Sequence, residues 1–127
     1  MTTELEGVRV LVVEDEFLVA TLIEDMLRSA GCIVSGPIPR LAEALDAVDR
    51  GPYDAAILDV NLAGERVDPL AQALSCRNVP FAFVTGYSTG SLPGKHAERP
   101  CLRKPFKTTD LLSTVSNLVH TRPPKAG

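Results

Sequence analysis

The sequence predicts an α/β protein built on a parallel β-sheet with helices on both faces. Three observations predict it. Short apolar runs rich in β-branched residues alternate with segments of helical period, the pattern of successive βα units. Five such units recur along 127 residues, a length that suits one domain with one core. Four of the five apolar runs lead straight into an acidic, hydroxyl or basic residue. Polar groups therefore fall at the carboxyl edge, where open α/β sheets gather their chemistry.

The first strand is residues 8–13, VRVLVV, almost wholly apolar as a strand buried on both faces should be. Leu18, Val19, Leu22, Ile23, Met26 and Leu27 then recur at spacings of three and four, and Gly31 can end that helix. Residues 32–35 make a weak second strand. Leu41, Ala44, Leu45 and Val48 mark a second helix that stops near Gly51-Pro52, and residues 55–58, AAIL, are the third strand. Asp68-Pro69 reads as an N-cap followed by proline at the first helical position, opening a third helix through Leu70, Ala71 and Leu74. Residues 81–84, FAFV, form the fourth strand. Residues 86–99 are rich in Gly, Ser and Pro, so a fourth helix there is short or irregular. Residues 101–103 are a brief fifth strand. Leu111, Leu112, Val115, Leu118 and Val119 define the last helix, within a core of about 8–120, and residues 121–127 read as a frayed tail.

Composition excludes several classes. The chain is 45% hydrophobic and 23% charged, unlike a disordered segment. A net charge of −3, with no basic run, gives no basis for nucleic-acid binding. No apolar stretch is long enough to span a bilayer, and the first residues, MTTELEGVRV, do not form a signal peptide. A cytoplasmic location with no membrane partner is the expectation. Cys32, Cys76 and Cys101 are scattered, with no CxxC, so they read as reduced packing residues. His96 and His120 are far apart, and His120 falls where a helix should end, which favours contact with the helix dipole over catalysis.

The strand ends carry the chemistry. The first strand ends in Glu14-Asp15-Glu16, the third in Asp59, the fourth in Thr85 and the fifth in Lys104-Pro105. Taken singly, each has an ordinary explanation, as a turn residue, a solvated lysine or the acidic first turn of a helix. Four such coincidences at one edge are much harder to accept. Clustered carboxylates repel and call for a cation, and hard oxygen ligands suit Mg²⁺. With Lys104 and Thr85 as donors, the set suits phosphoryl transfer to a carboxylate.

The pieces LVVEDE (residues 11–16), AAILDVNL (55–62), FVTGY (83–87) and RKPF (103–106) together resemble the receiver domain of two-component response regulators, over about residues 8–119. The resemblance implies a flavodoxin-like, doubly wound (βα)5 fold with five parallel strands in the order 2-1-3-4-5. It implies Asp59 as phosphoacceptor, with Mg²⁺ or Mn²⁺ held by Glu14, Asp15, Asp59 and the backbone carbonyl of Asn61. Thr85 and Lys104 would contact the phosphoryl oxygens, and the Lys104-Pro105 bond would be cis. Such a domain catalyses only its own phosphorylation and dephosphorylation. Its partner would be a sensor histidine kinase or a phosphotransfer protein.

Three departures from the common pattern stand out. Leu62-Ala63 replaces a frequent Met-Pro, Cys101 replaces a usual aromatic, and residues 86–99 make a poor helix. The stretch PFAFVTGY (80–87) resembles the receiver subgroup nicknamed FAT GUY, whose members work with kinases of the HWE or a related type. With Cys101 too small to fill a ring-sized space, the readout is expected to run through residues 86–99 and Tyr87. No output module is expected after the last helix, so function would lie in protein contacts or in passing phosphate on.

Other classes fit less well. Residues 86–90, GYSTG, match G-x-S-x-G, and Asp110 and His120 follow in hydrolase order. Those two share one predicted helix ten residues apart, roughly 15 Å along the axis, and cannot both serve Ser88. A haloacid-dehalogenase-type phosphatase needs D-x-D on its first strand; here Asp59-Val60-Asn61 lies on the third and lacks the second carboxylate. A flavodoxin-like cofactor binder would need a Gly, Ser or Thr phosphate loop where EDE stands.

Overall fold

The computed structural model describes residues 5–62, 64–86 and 99–121. Its elements run β1 (Arg9–Val13), α1 (Phe17–Ser29), β2 (Ile33–Ile38), α2 (Leu41–Asp49), β3 (Ala55–Asp59), β4 (Asn61–Leu62), β5 (Glu65–Arg66), α3 (Asp68–Cys76), β6 (Phe81–Thr85), β7 (Cys101–Arg103) and α4 (Thr108–Thr121). Five strands form one parallel sheet in the order β2-β1-β3-β6-β7. With the β4–β5 pair set aside, this is the expected order 2-1-3-4-5.

Strand alternation divides the core in two. Val10, Val12, Ala55, Ile57, Ala82 and Val84 face one layer, packed with Ile23 and Leu27 of α1 and Leu111 and Val115 of α4. Leu11, Val13, Ala56, Leu58, Phe81 and Phe83 face the other, packed against α2 and α3. Because both faces are covered, these strands read as continuous apolar runs rather than as alternating ones.

Two helices stop by the same device. Beyond α1, Gly31 sits at φ 93°, Gly31 N donates to Arg28 O and Cys32 N to Leu27 O. Beyond α3, Asn78 sits at φ 58°, Asn78 N donates to Ser75 O and Val79 N to Leu74 O. Both are Schellman closures, in which a left-handed residue lets the last carbonyls find donors.

The structure corrects three readings and adds one element. β2 runs to Ile38, past the expected end at Ser35, because Gly36 and Pro37 form a bulge: Leu11 pairs with Ser35 but Val13 with Ile38. A proline is tolerated there because β2 is an edge strand. Asp68 does not cap α3; Val67 is the N-cap, and the Asp68 carboxylate pairs with Arg66 instead. Leu18 and Leu22 keep the helical period of α1 but point to solvent, while Ala20, Ile23 and Leu27 are buried. The short antiparallel pair β4–β5, turning at Gly64 (φ 87°), was not anticipated.

The readings placed on residues 87–98, including Tyr87, Ser88 and His96, and on the tail at 122–127 lie outside the described residues. Among the described residues no helix is long and apolar enough to cross a membrane.

Candidate functional site

Register alone brings the strand ends together. Val13 pairs with Leu58, so the next residues, Glu14 and Asp59, fall side by side. Asp59 pairs with Val84 and Thr85 with Arg103, which puts Thr85 and Lys104 at the same edge. Backbone bonds hold each position: Glu14 N donates to Ile38 O at 3.0 Å, Val60 N to Val84 O at 3.1 Å, and Lys104 N to Thr85 O at 2.8 Å. The extension of β2 through its bulge is thus what anchors Glu14.

Among the described residues, the buried polar or charged side chains are Glu14 (2% exposed), Asp59 (6%) and Thr85 (4%). All three stand at this edge. Carboxylate oxygens of Glu14, Asp15 and Asp59 lie within 4.8 Å of one another. Glu14 Oε2 accepts from the backbone N of Glu16 at 3.1 Å. Glu14 Oε1, also buried, accepts no hydrogen bond among the described residues. A buried carboxylate oxygen that accepts no hydrogen bond, with the Lys104 ammonium 3.4 Å away, fits a hard divalent cation when it stands inside a close group of carboxylates.

Lys104 brings the positive charge. Its Nζ lies 2.6 Å from Glu16 Oε1, 3.4 Å from Glu14 and 4.0 Å from Asp59 Oδ2. Burial alone would lower its pKa, but the hydrogen bond to Glu16 and the charges of Asp59 and Glu14 outweigh that, so it rises above the ordinary 10.5 and the ammonium stays charged. The Lys104-Pro105 bond is cis. Asn61 starts β4, two residues beyond Asp59. Cys101 pairs with Phe83 and packs, partly buried, against the α2–α3 layer.

Residues outside this edge have structural duties. Asp110 accepts from Lys107 N at 3.3 Å, closing the first turn of α4, and His120 Nδ1 lies 2.8 Å from Ser116 O in the last turn of the same helix. Burial pushes the thiols of Cys32 and Cys101 up. Gly86 takes no left-handed backbone angle. The contact that sequence reasoning missed is Glu16: it was legible as the third acid of the EDE run, but a ligand set of Glu14, Asp15 and Asp59 left it without a role.

A parallel five-stranded sheet that gathers an acid cluster, a buried threonine and a lysine at its carboxyl edge defines a receiver-type domain. The chain belongs to the response regulator receiver domain family, whose model matches residues 10–116. It is similar to SdrG from Sphingomonas melonis Fr1, whose solution structure superposes with TM-score 0.81 at 40% identity over 89% of this chain and 97% of that one. It also resembles the receiver domain of the sensor histidine kinase PA1611 from Pseudomonas aeruginosa PAO1, solved with a magnesium ion in its active-site cleft (TM-score 0.74, 26% identity, 91% of this chain and 99% of that one). The transcriptional regulatory protein PdtaR of Mycobacterium tuberculosis is 27% identical over 111 residues, 84% of this chain. The chain spans about half (54%) of the length of that curated relative.

Proposed function

We propose that the chain is a phosphorylation switch of a two-component system, accepting a phosphoryl group on Asp59 from a sensor histidine kinase or a phosphotransfer protein. The observation that carries this reading is the company kept by Asp59: the buried polar side chains Glu14, Asp59 and Thr85 share one edge with Lys104. Burying charge is costly, and a group of this kind is retained where charge is to be handled.

In the transfer, an Asp59 carboxylate oxygen attacks phosphorus. The O–P bond forms as the donor imidazole's N–P bond breaks, and the imidazole nitrogen keeps the electron pair and takes up a proton from water. The Glu14, Asp15 and Asp59 carboxylates and the Asn61 carbonyl would hold Mg²⁺ or Mn²⁺, which when bound supplies positive charge against the phosphoryl oxygens. Lys104 offers an ammonium and Thr85 a hydroxyl donor to those oxygens. Both are placed before charge develops, which is what makes such donors effective. The chemistry is directed at the protein's own carboxylate, and the outcome is a change in its protein contacts.

A protein donor is favoured by Phe17 and Leu18, which are 79% and 80% exposed immediately after Glu16. Large apolar side chains left open beside a reactive edge suit a docking partner. We place this exchange in the cytoplasm.

Incubation with acetyl phosphate and Mg²⁺, followed by intact-mass measurement, tests the reading. The parent should gain one phosphoryl group. Asp59→Ala, or the parent with EDTA, should gain none. Labelling retained in Asp59→Ala would place the acceptor elsewhere.

A further inference from the structure

Lys104 is closer to Glu16 than to the carboxylate it is meant to serve. Its Nζ is 2.6 Å from Glu16 Oε1 but 4.0 Å from Asp59 Oδ2. Glu16 stands at the N-cap of α1, yet its side chain makes no capping hydrogen bond. Its backbone is tied down at both groups, with N donating to Glu14 Oε2 and O accepting from Ala20 N at 2.8 Å. The carboxylate is therefore presented from a fixed point, and it meets Lys104.

We propose that Glu16 is a positioning residue: it holds the Lys104 ammonium away from Asp59 in the resting protein and competes with the phosphoryl group for it. This rests on Asp59 being the phosphoacceptor. Phosphorylation places new negative charge at Asp59, and the ammonium must then turn from Glu16 toward it. Lys104 is 14% exposed at its side chain, whereas Glu16 is 62% exposed. The lysine is thus confined between its partners, while the glutamate can swing into solvent when it loses the contest. The competition is graded, because a half-solvated ion pair is weak enough to be displaced. Glu16 thereby sets how tightly the site holds a phosphoryl group.

The test uses beryllofluoride as the phosphoryl mimic at saturating Mg²⁺, so that any change in metal affinity drops out. Glu16→Gln should bind it on the order of two- to fivefold more tightly than the parent, the range expected for removal of one exposed ion pair. Glu16→Asp, which keeps the charge, should lie between the two. In the metal-free protein, the NMR resonances of the Lys104 ammonium should shift in Glu16→Gln and largely return in Glu16→Asp. Binding in Glu16→Gln equal to or weaker than the parent's, with Lys104 resonances unmoved, overturns the proposal. Failure of the parent itself to bind beryllofluoride would instead sink the phosphoacceptor reading. If Glu16→Gln does not fold by circular dichroism, Glu16→Asp decides: affinity equal to or weaker than the parent's overturns the proposal.

Discussion

Lys104 Nζ comes within 4.0 Å of Asp59 Oδ2 although the two residues stand on opposite sides of β6 in the sheet. Asp59 ends β3 and Lys104 follows β7, so a lysine stem must reach across one strand. Its carbon chain passes Gly86, where an added Cβ would lie 3.8 Å from Lys104 Cδ. The acid cluster is thereby met by a cation from the far side of the sheet edge.

Removing that cation should expose the cost of the cluster. Glu14 is almost fully buried, and Lys104 supplies positive charge 3.4 Å away. In Lys104→Ala the metal-free protein should lose about 1–3 kcal/mol, because a buried charge is left poorly compensated. Urea melts with and without Mg²⁺ check this, and added Mg²⁺ should recover more stability in the variant than in the parent. Equal stability of variant and parent without metal would contradict it.

The metal should stabilise the parent by mass action. At a concentration a hundredfold above Kd, Mg²⁺ contributes about 2.7 kcal/mol if it binds the folded chain alone. Asp15→Asn removes one of three mutually repelling charges, so it should melt higher than the parent without metal and respond little to Mg²⁺. An equal thermal shift in both proteins would remove Asp15 from the ligand set.

Gly36→Ala should be costly for a residue so near the surface of the fold. Gly36 sits at φ 102°, and an added Cβ would lie 2.5 Å from Val12 O and 2.8 Å from Ile38 N. Both the backbone angle and the contact with backbone atoms oppose a side chain, and about 1–3 kcal/mol should be lost. The bulge also positions Ile38, which binds Glu14 N, so phosphorylation by acetyl phosphate should slow as well. Denaturant titration with unaltered stability would refute the strain argument.

The three thiols should separate by reactivity. Cys76 is exposed, Cys101 half-buried and Cys32 buried. Burial raises the pKa of Cys32 and Cys101, so at mildly alkaline pH less of each is thiolate, the reactive form. Iodoacetamide followed by peptide mass analysis should find Cys76 alkylated first and Cys32 last, with Cys32 and Cys101 gaining reactivity only as pH rises well past the ordinary thiol range. Early alkylation of Cys32 would show that its layer opens readily.

Much of the fold is written in local patterns. The runs that became β1, β3 and β6 are apolar without alternation because each is covered on both faces, and no other environment suits them. The positions after those runs, Glu14, Asp59 and Thr85, were legible for the same reason: a strand's end is where its apolar run stops. Local pattern misled where a neighbour decided the outcome. Pro37 looks like a strand terminator, but β2 has an open edge and can absorb it in a bulge. Leu18 and Leu22 look like core positions, but α1 buries the side that carries Ala20, Ile23 and Leu27 and leaves these two exposed. Asp68 looks like a cap, but Arg66 across the turn takes its carboxylate.

The chain's own order therefore determined the class of fold, the edge at which chemistry gathers and the residue types present there. Periodicity and strand ends are properties of neighbouring residues, so they survive in a linear text. Tertiary structure alone decided the pairings: that β2 reaches Ile38 to hold Glu14, and that Lys104 settles on Glu16 at 2.6 Å while standing 4.0 Å from Asp59. Those contacts join residues from separate strands, and a difference of little more than an ångström between rival partners depends on register, side-chain reach and burial, which arise only when the sheet has formed.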